Sequence, residues 1–124
     1  MKKGESFKNT RGLEIGNYVM DKAGQLATIQ TIYSELITCD IYLQPQRETF
    51  AFQSLHPILL TKLLLRHLGF IEVSDGNYYH KNGGDFNLDT KEYISISGVP
   101  EYEIKYLHTI QNIYKGLTGL DLTL

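Results

Sequence analysis

The sequence of 124 residues has no tryptophan, a single cysteine and no long hydrophobic run. One cysteine, Cys39, cannot form an intramolecular disulfide, which excludes a disulfide-stabilised scaffold and favours a reducing cytoplasm. No apolar stretch approaches the ~20 residues that a membrane-spanning helix needs. Because polar residues follow Lys2 and Lys3, we also predict that there is no signal peptide. We therefore expect a cytoplasmic protein that does not engage a membrane.

The chain also lacks an excess of basic charge. Its 12 Lys and Arg residues are outnumbered by 14 Asp and Glu residues, which argues against nucleic-acid binding through a broad basic surface. The first eleven residues are an exception, because four basic side chains oppose one acidic side chain there: Lys2, Lys3, Lys8 and Arg11 against Glu5. We predict a basic flexible arm over residues 1–12 and a single α+β domain over residues 13–124.

Recognisable catalytic and metal-binding motifs are missing as well. The four histidines, His56, His67, His80 and His108, show no HxH, HxxH or HExxH spacing. No glycine-rich phosphate loop of the GxxxxGK[ST] or GxGxxG type is present, and Cys39 alternates with apolar residues like a buried side chain. We predict no catalytic residue, no metal site and no cofactor. An unrecognised enzyme built around His56, His80 or His108 stays open as an alternative.

What the first half does contain is strand patterning. Residues 36–43 alternate between apolar and polar side chains, and Asp21–Gly24 has the composition of a tight turn. Residues 13–53 therefore predict three or four antiparallel strands joined by short turns. A strongly bent, SH3-like sheet and a flat meander both satisfy this pattern, and the sequence does not separate them.

The second half combines helix and hairpin patterns. Thr61 is placed as the N-cap of a short helix over residues 62–68, and Gly69 as its left-handed stop. Alternating segments around Asn82-Gly83-Gly84 predict hairpin strands within residues 70–97. Strands joined by hairpins, with helices outside βαβ units, indicate an α+β fold with antiparallel sheet.

The C-terminal part predicts a long helix over about residues 101–117. Its main apolar stripe recurs at helical spacing, at Tyr106, Ile110, Ile113 and Leu117, and a second row widens it, namely Ile104, Leu107 and Tyr114. Three polar or amphipathic residues, Tyr102, Lys105 and His108, lie at the margin of this stripe and are candidates for partner binding. The alternative is an amphipathic border, where Tyr and Lys bury their stems and keep their tips in water.

Three segments resemble a known group of proteins. They are Ile15–Val19, then Pro57–Thr61 with Leu64–Phe70, and finally Ile104–Tyr114 with Leu117–Gly119. In this order they resemble small uncharacterised proteins encoded in Bacteroidetes phages, prophages and other mobile elements. The resemblance implies a small accessory protein in a host cytoplasm, and it implies no catalytic residues. This chain departs from the group at residues 62–64, where relatives often have an acidic pair and an aromatic residue.

These observations leave two hypotheses about function. The first is a non-enzymatic protein-interaction module that binds an unidentified protein, or a second copy of itself. The second is a nucleic-acid-associated binding module that uses the N-terminal sheet and the basic arm.

Overall fold

A computed structural model describes all 124 residues and shows two four-stranded antiparallel sheets with two α-helices. The predicted α+β class is confirmed. Contacts divide the chain into two compact units, which we call unit 1 (residues 1–59 and 106–108) and unit 2 (residues 60–105 and 109–124). The single domain expected over residues 13–124 stays a prediction. No helix combines the length and apolar character needed to cross a bilayer.

Unit 1 contains the first sheet, in which successive strands pair in chain order. The strands are β1 (Tyr18–Met20), β2 (Leu26–Tyr33), β3 (Leu36–Ile41) and β4 (Arg47–Ala51). Alternation along β2 and β3 points Ile29, Ile37 and Cys39 into the core, where they pack in one cluster with Leu13 and Leu55. The four strands confirm the predicted antiparallel strands joined by short turns.

The chain returns to this sheet after β4. A single 3-10 turn, Phe52–Ser54, connects β4 to the next segment. His56 then pairs with Met20 of β1, and their two backbone N–H to carbonyl distances are 2.9 and 2.8 Å. The edge of β1 is thereby hydrogen-bonded. The SH3-like arrangement stays a prediction.

Part of the segment predicted as a flexible arm is hydrogen-bonded to unit 1. Lys3 forms a bridge with Ile58, and the amide of Gly4 donates to the carbonyl of Pro57 at 2.7 Å. The amide of Phe7 donates to the carbonyl of Leu55 at 3.2 Å. Residues 3–7 thus follow the segment that pairs with β1. The flexibility of residues 1–12 itself stays a prediction.

Unit 2 begins with the helix α1 (Lys62–His67), where the amide of Leu64 donates to Oγ1 of Thr61 at 3.2 Å. The predicted N-cap and the predicted short helix are confirmed. The second sheet follows, with strands β5 (Phe70–Ser74), β6 (Asn77–His80), β7 (Asn87–Asp89) and β8 (Ser95–Ile96) paired in that order. These strands confirm the hairpins predicted within residues 70–97.

The long helix α2 spans Leu107–Thr118, so its predicted start near residue 101 was wrong. Its first two residues belong to unit 1 and the others to unit 2. Residues 103–106 are extended because their backbone groups are bonded elsewhere. Glu103 bridges Ser95, and the amide of Ile104 donates to the carbonyl of Ile94 at 2.7 Å. Because these backbone groups are already hydrogen-bonded, the segment does not form a helix, although its side-chain spacing is helical.

The buried face of α2 agrees with the predicted stripe at Leu107, Ile110 and Tyr114 and differs from it at Gln111 and Leu117. Leu107, Ile110, Gln111 and Tyr114 are buried, at the i, i+3, i+4 and i+7 spacing of one helix face. Leu117, predicted to be buried, is 68% exposed. The buried face therefore includes a polar residue, Gln111, which a search for apolar periodicity does not detect. Its Nε2 donates to the carbonyl of Leu122 at 3.2 Å.

Candidate functional site

The structure does not place Tyr102, Lys105 and His108 on one helix edge. Tyr102 and Lys105 precede α2, and both side chains are exposed. His108 lies in the first turn of α2 and is buried. The predicted edge is not formed because the segment before Leu107 is extended. A role for the three residues in partner binding stays a prediction.

His108 is enclosed by two aromatic rings of unit 1. The ring of Phe7 meets it edge-on, with centroids 5.5 Å apart and an interplanar angle of 72°. The ring of Tyr106 is stacked on it at 5.7 Å and 14°. Burial lowers the pKa of His108 from 6.5 to about 4, so the imidazole is neutral at pH 7. Its Nδ1 atom is buried and has no hydrogen-bond partner.

These rings belong to a surface concavity of unit 1 with a volume of about 300 Å³, which we call the N-terminal pocket. Its wall combines aromatic and charged side chains, namely Phe7, Tyr106, His108, Glu5, Lys8 and Arg11. The sequence indicated a basic arm, but it did not indicate that the arm lies beside Tyr106, just before α2, and His108, in its first turn. Phe7, the one aromatic residue among the first twelve, is the only local feature that could have suggested it.

The other histidines have structural partners or are exposed. His80 accepts the amide of Asn82 at Nδ1 over 3.2 Å, and its Nε2 lies 3.0 Å from the carbonyl of Leu68. These partners assign the proton to Nε2. His56 has its Nδ1 2.9 Å from the carbonyl of Gly4, and His67 is exposed on α1. No group of three His, Cys, Asp or Glu side chains could hold a metal ion.

Cys39 is fully buried on the inner face of β3, as its alternation predicts. Burial, together with the nearby charges of Asp40 and Asp21, raises the pKa of its thiol to about 12. A thiol in this environment carries almost no thiolate at pH 7. It is therefore a packing residue and a poor nucleophile.

A second concavity, of about 250 Å³, lies in unit 2 along the segment between β7 and residue 100. Two of its polar side chains are hydrogen-bonded within that segment. The Tyr93 hydroxyl donates to the carbonyl of Pro100, and the Asp89 carboxylate accepts the amide of Lys91 at 2.9 Å. We assign this concavity a structural role in shaping the loop.

The ends of the two sheets differ in how they are protected. At β1 and β8 the end strand makes a further bridge, through Met20 to His56 and through Ser95 to Glu103. The end strand β4 carries the exposed charges of Arg47 and Glu48, which is a common protection against edge-to-edge pairing. The end strand β5 differs from the other three in carrying large apolar residues that are exposed.

We use the name β5 edge for the surface formed by Ile71 and Val73. Ile71 is 49% exposed and Val73 is 62% exposed, whereas Phe70 at the start of the strand is buried. Ile71 leaves the exposed face of the strand, and the register of β5 against β6 shifts between Glu72 and Ser74, so Val73 lies at a β-bulge. On the neighbouring strand β6, Tyr79 lies directly opposite Ile71 and extends this face.

Comparison with protein families, with curated protein sequences and with solved structures finds no match to this chain.

Proposed function

We propose that this protein is a non-enzymatic protein-interaction module that accepts an extended segment of a partner protein along the β5 edge. One observation supports the proposal above all others. Among the four sheet ends, β5 alone combines an end position with large apolar side chains that are exposed. Such an edge offers backbone hydrogen bonds for affinity and side-chain contacts for specificity.

The chemistry of β5 favours a partner strand. Backbone groups on one side of the strand have no strand partner in the sheet, and an added strand would pair with them. The exposed side chains of Ile71 and Val73 would then contact apolar side chains of the partner. Glu72 points to the opposite face, and its carboxylate already accepts the amide of Gly76 at 3.0 Å. The negative charge of Glu72, which could repel a partner, is thus hydrogen-bonded to the turn that follows β5.

The residues that could serve as a nucleophile or a general base have structural roles, which supports a non-enzymatic function. Cys39 is buried with a raised pKa, and both ring nitrogens of His80 face structural partners. The resemblance to phage and mobile-element proteins adds the expected setting to the proposal. We infer a small accessory protein that acts in the cytoplasm of a bacterial host.

The nucleic-acid alternative receives less support from the charge distribution. Unit 1, which contains the N-terminal sheet and the basic arm, has six Lys and Arg residues and six Asp and Glu residues. Binding through phosphates requires a surplus of positive charge, because affinity grows with the number of phosphates neutralised. We therefore place the interaction with another protein first.

A pair of charge-introducing variants tests the proposal. Ile71→Lys/Val73→Lys places two cations on the β5 edge, and Thr49→Lys places one on the exposed end strand β4 as a matched control. Binding to proteins encoded beside this one is measured by biolayer interferometry, and self-association by sedimentation velocity. We expect the double variant to lose at least tenfold in affinity for its partner, or for its own second copy, while Thr49→Lys retains it. Equal binding by the double variant and the wild type would contradict the proposal.

Photo-crosslinking supplies an independent test of the same edge. A benzoylphenylalanine at position 73 should capture the partner, whereas the same group at position 49 should not. Adducts at position 49 alone would place the interaction elsewhere and refute the assignment to β5.

A further inference from the structure

The N-terminal pocket brings two cations to a group of aromatic rings. Lys8 and Arg11 are exposed in its wall, and the ion pairs of the chain, Asp40–Arg47 and Lys115–Asp121, do not include them. Their charges are therefore available to an anionic group. Because burial keeps His108 neutral, it adds no further charge to the pocket.

The aromatic part of the wall has a fixed geometry. His108 is held between the edge of Phe7 and the face of Tyr106, with centroid distances of 5.5 and 5.7 Å. The backbone of Phe7 is fixed by a hydrogen bond, because its amide donates to the carbonyl of Leu55. Rings held in this way offer a preorganised apolar wall for a planar group, because little side-chain freedom is lost on binding.

The pocket wall also contains a polar atom without a hydrogen-bond partner. His108 is 8% exposed, and its Nδ1 is buried without a hydrogen-bond partner. Buried polar atoms are nearly always paired, so His108 Nδ1 is an exception in the pocket wall. Because this atom is enclosed, a ligand in the pocket contacts the aromatic rings and the two cations rather than Nδ1.

We propose that the N-terminal pocket binds a small ligand in which an anionic group is attached to a planar aromatic ring, the chemistry of a mononucleotide. Lys8 and Arg11 bind the anionic group, and the ring contacts the wall formed by Phe7, Tyr106 and His108. Glu5 lowers the net charge of the wall to +1, which favours one phosphate group over a polyphosphate chain. The volume of about 300 Å³ lies at the lower limit for ligand pockets and suits one nucleotide.

This site goes beyond the proposed protein-interaction function and does not depend on it. The N-terminal pocket consists of residues of unit 1, and the β5 edge consists of residues of unit 2. Either assignment can fail while the other holds.

The test uses the full chain labelled with ¹⁵N and follows amide shifts on addition of AMP, GMP, CMP and UMP, with adenosine and inorganic phosphate as partial ligands. We expect shifts concentrated in residues 5–11 and 106–108, and AMP binding at least tenfold tighter than either adenosine or phosphate. Lys8→Gln/Arg11→Gln should weaken AMP binding by about tenfold, because charged hydrogen bonds to the phosphate are lost. Arg47→Gln, which removes an exposed cation elsewhere in unit 1, should leave it unchanged.

A second variant tests the aromatic wall. Phe7→Leu should weaken AMP binding and leave the weak binding of inorganic phosphate unchanged. A short single-stranded oligonucleotide distinguishes two sources of the same chemistry. Binding at least tenfold tighter than AMP would identify a nucleotide within a nucleic acid, and equal or weaker binding would identify a free nucleotide. The absence of shifts with all four mononucleotides at millimolar concentration, or an undiminished affinity in Lys8→Gln/Arg11→Gln, would overturn the proposal.

Discussion

The hydroxyl of Tyr114 lies 3.2 Å from Nδ1 of His80, and this contact joins a residue of α2 to the end of β6. The two rings meet edge-on at 5.2 Å. Phe70 and Phe86 complete an aromatic cluster around Tyr114, with centroid distances of 6.3 and 5.3 Å. Because Tyr114 is almost fully buried, its hydroxyl needs this partner.

Tyr114→Phe removes the hydroxyl and keeps the ring. We expect it to lower the free energy of unfolding by about 1 kcal/mol, the usual cost of one side-chain hydrogen bond. Tyr114→Ala removes the packing as well and should cost about 3–5 kcal/mol. Urea denaturation followed by circular dichroism measures both values. A loss in Tyr114→Phe as large as that in Tyr114→Ala would show that the hydroxyl, and not the ring, holds the cluster.

Substitution of two glycines by alanine should change the free energy of unfolding in opposite directions. Gly69 has a φ of +96°, and an added Cβ would lie 2.9 Å from Nε2 of His80. Gly69→Ala should therefore destabilise the fold by about 1–2 kcal/mol or more. Gly116 lies in α2 with nothing within 4 Å of the added Cβ, so Gly116→Ala should stabilise it by about 0.5–1 kcal/mol. Thermal melts show whether each variant has a higher or a lower melting temperature than the wild type. A shift in the same direction for both variants would contradict this account.

Thr61 caps α1, which has only six residues and depends on its ends. Thr61→Ala leaves the amide of Leu64 without its side-chain acceptor and should cost about 1 kcal/mol in unfolding free energy. Thr61→Ser preserves the acceptor and serves as the control. If both variants melt at the wild-type temperature, the cap does not contribute to stability.

Stability should fall as the pH is lowered because His108 is buried in its neutral form. The pKa of His108 is about 4 when folded and 6.5 when exposed, so the unfolded chain takes up the proton first as the pH falls. The contribution is complete above pH 6.5 and is lost between pH 6.5 and 4. Between pH 7 and 5 we expect a loss of about 2 kcal/mol from this group.

His108→Phe cannot titrate and should show a flatter dependence over the same range. Urea midpoints at pH 7, 6 and 5 provide the comparison. The same slope in the variant and the wild type would assign the pH dependence to other groups.

Cys39 should be unreactive in the folded protein. Its thiol is fully buried, and its pKa is raised to about 12. Iodoacetamide at pH 8 should modify it at least a hundredfold more slowly than in urea, since both access and thiolate are lacking. Mass spectrometry of timed aliquots measures the two rates. Rapid native alkylation would mean that β3 opens frequently.

Much of the fold was predictable because its causes are local. Thr61 and Gly69 bound α1 through a cap and a left-handed residue, which depend on the immediate chain. The burial of Cys39 followed from period-two alternation in β3. The candidate site was less predictable. Lys8 and Arg11 were visible as basic residues beside Phe7, but the other two rings of the pocket, Tyr106 and His108, come from a distant part of the chain.

The sequence by itself determined the α+β class, the strand patterns, the caps and the absence of recognised catalytic motifs. Only the tertiary structure decided where α2 begins, because the backbone of residues 103–106 bonds to Ile94, Ser95, Leu59 and Leu60 instead of continuing a helix. It also decided that His108 is buried beside Phe7 and that β5 is an exposed apolar edge. Long-range backbone pairing and burial depend on residues far apart in the chain, and side-chain spacing within one segment carries no information about them.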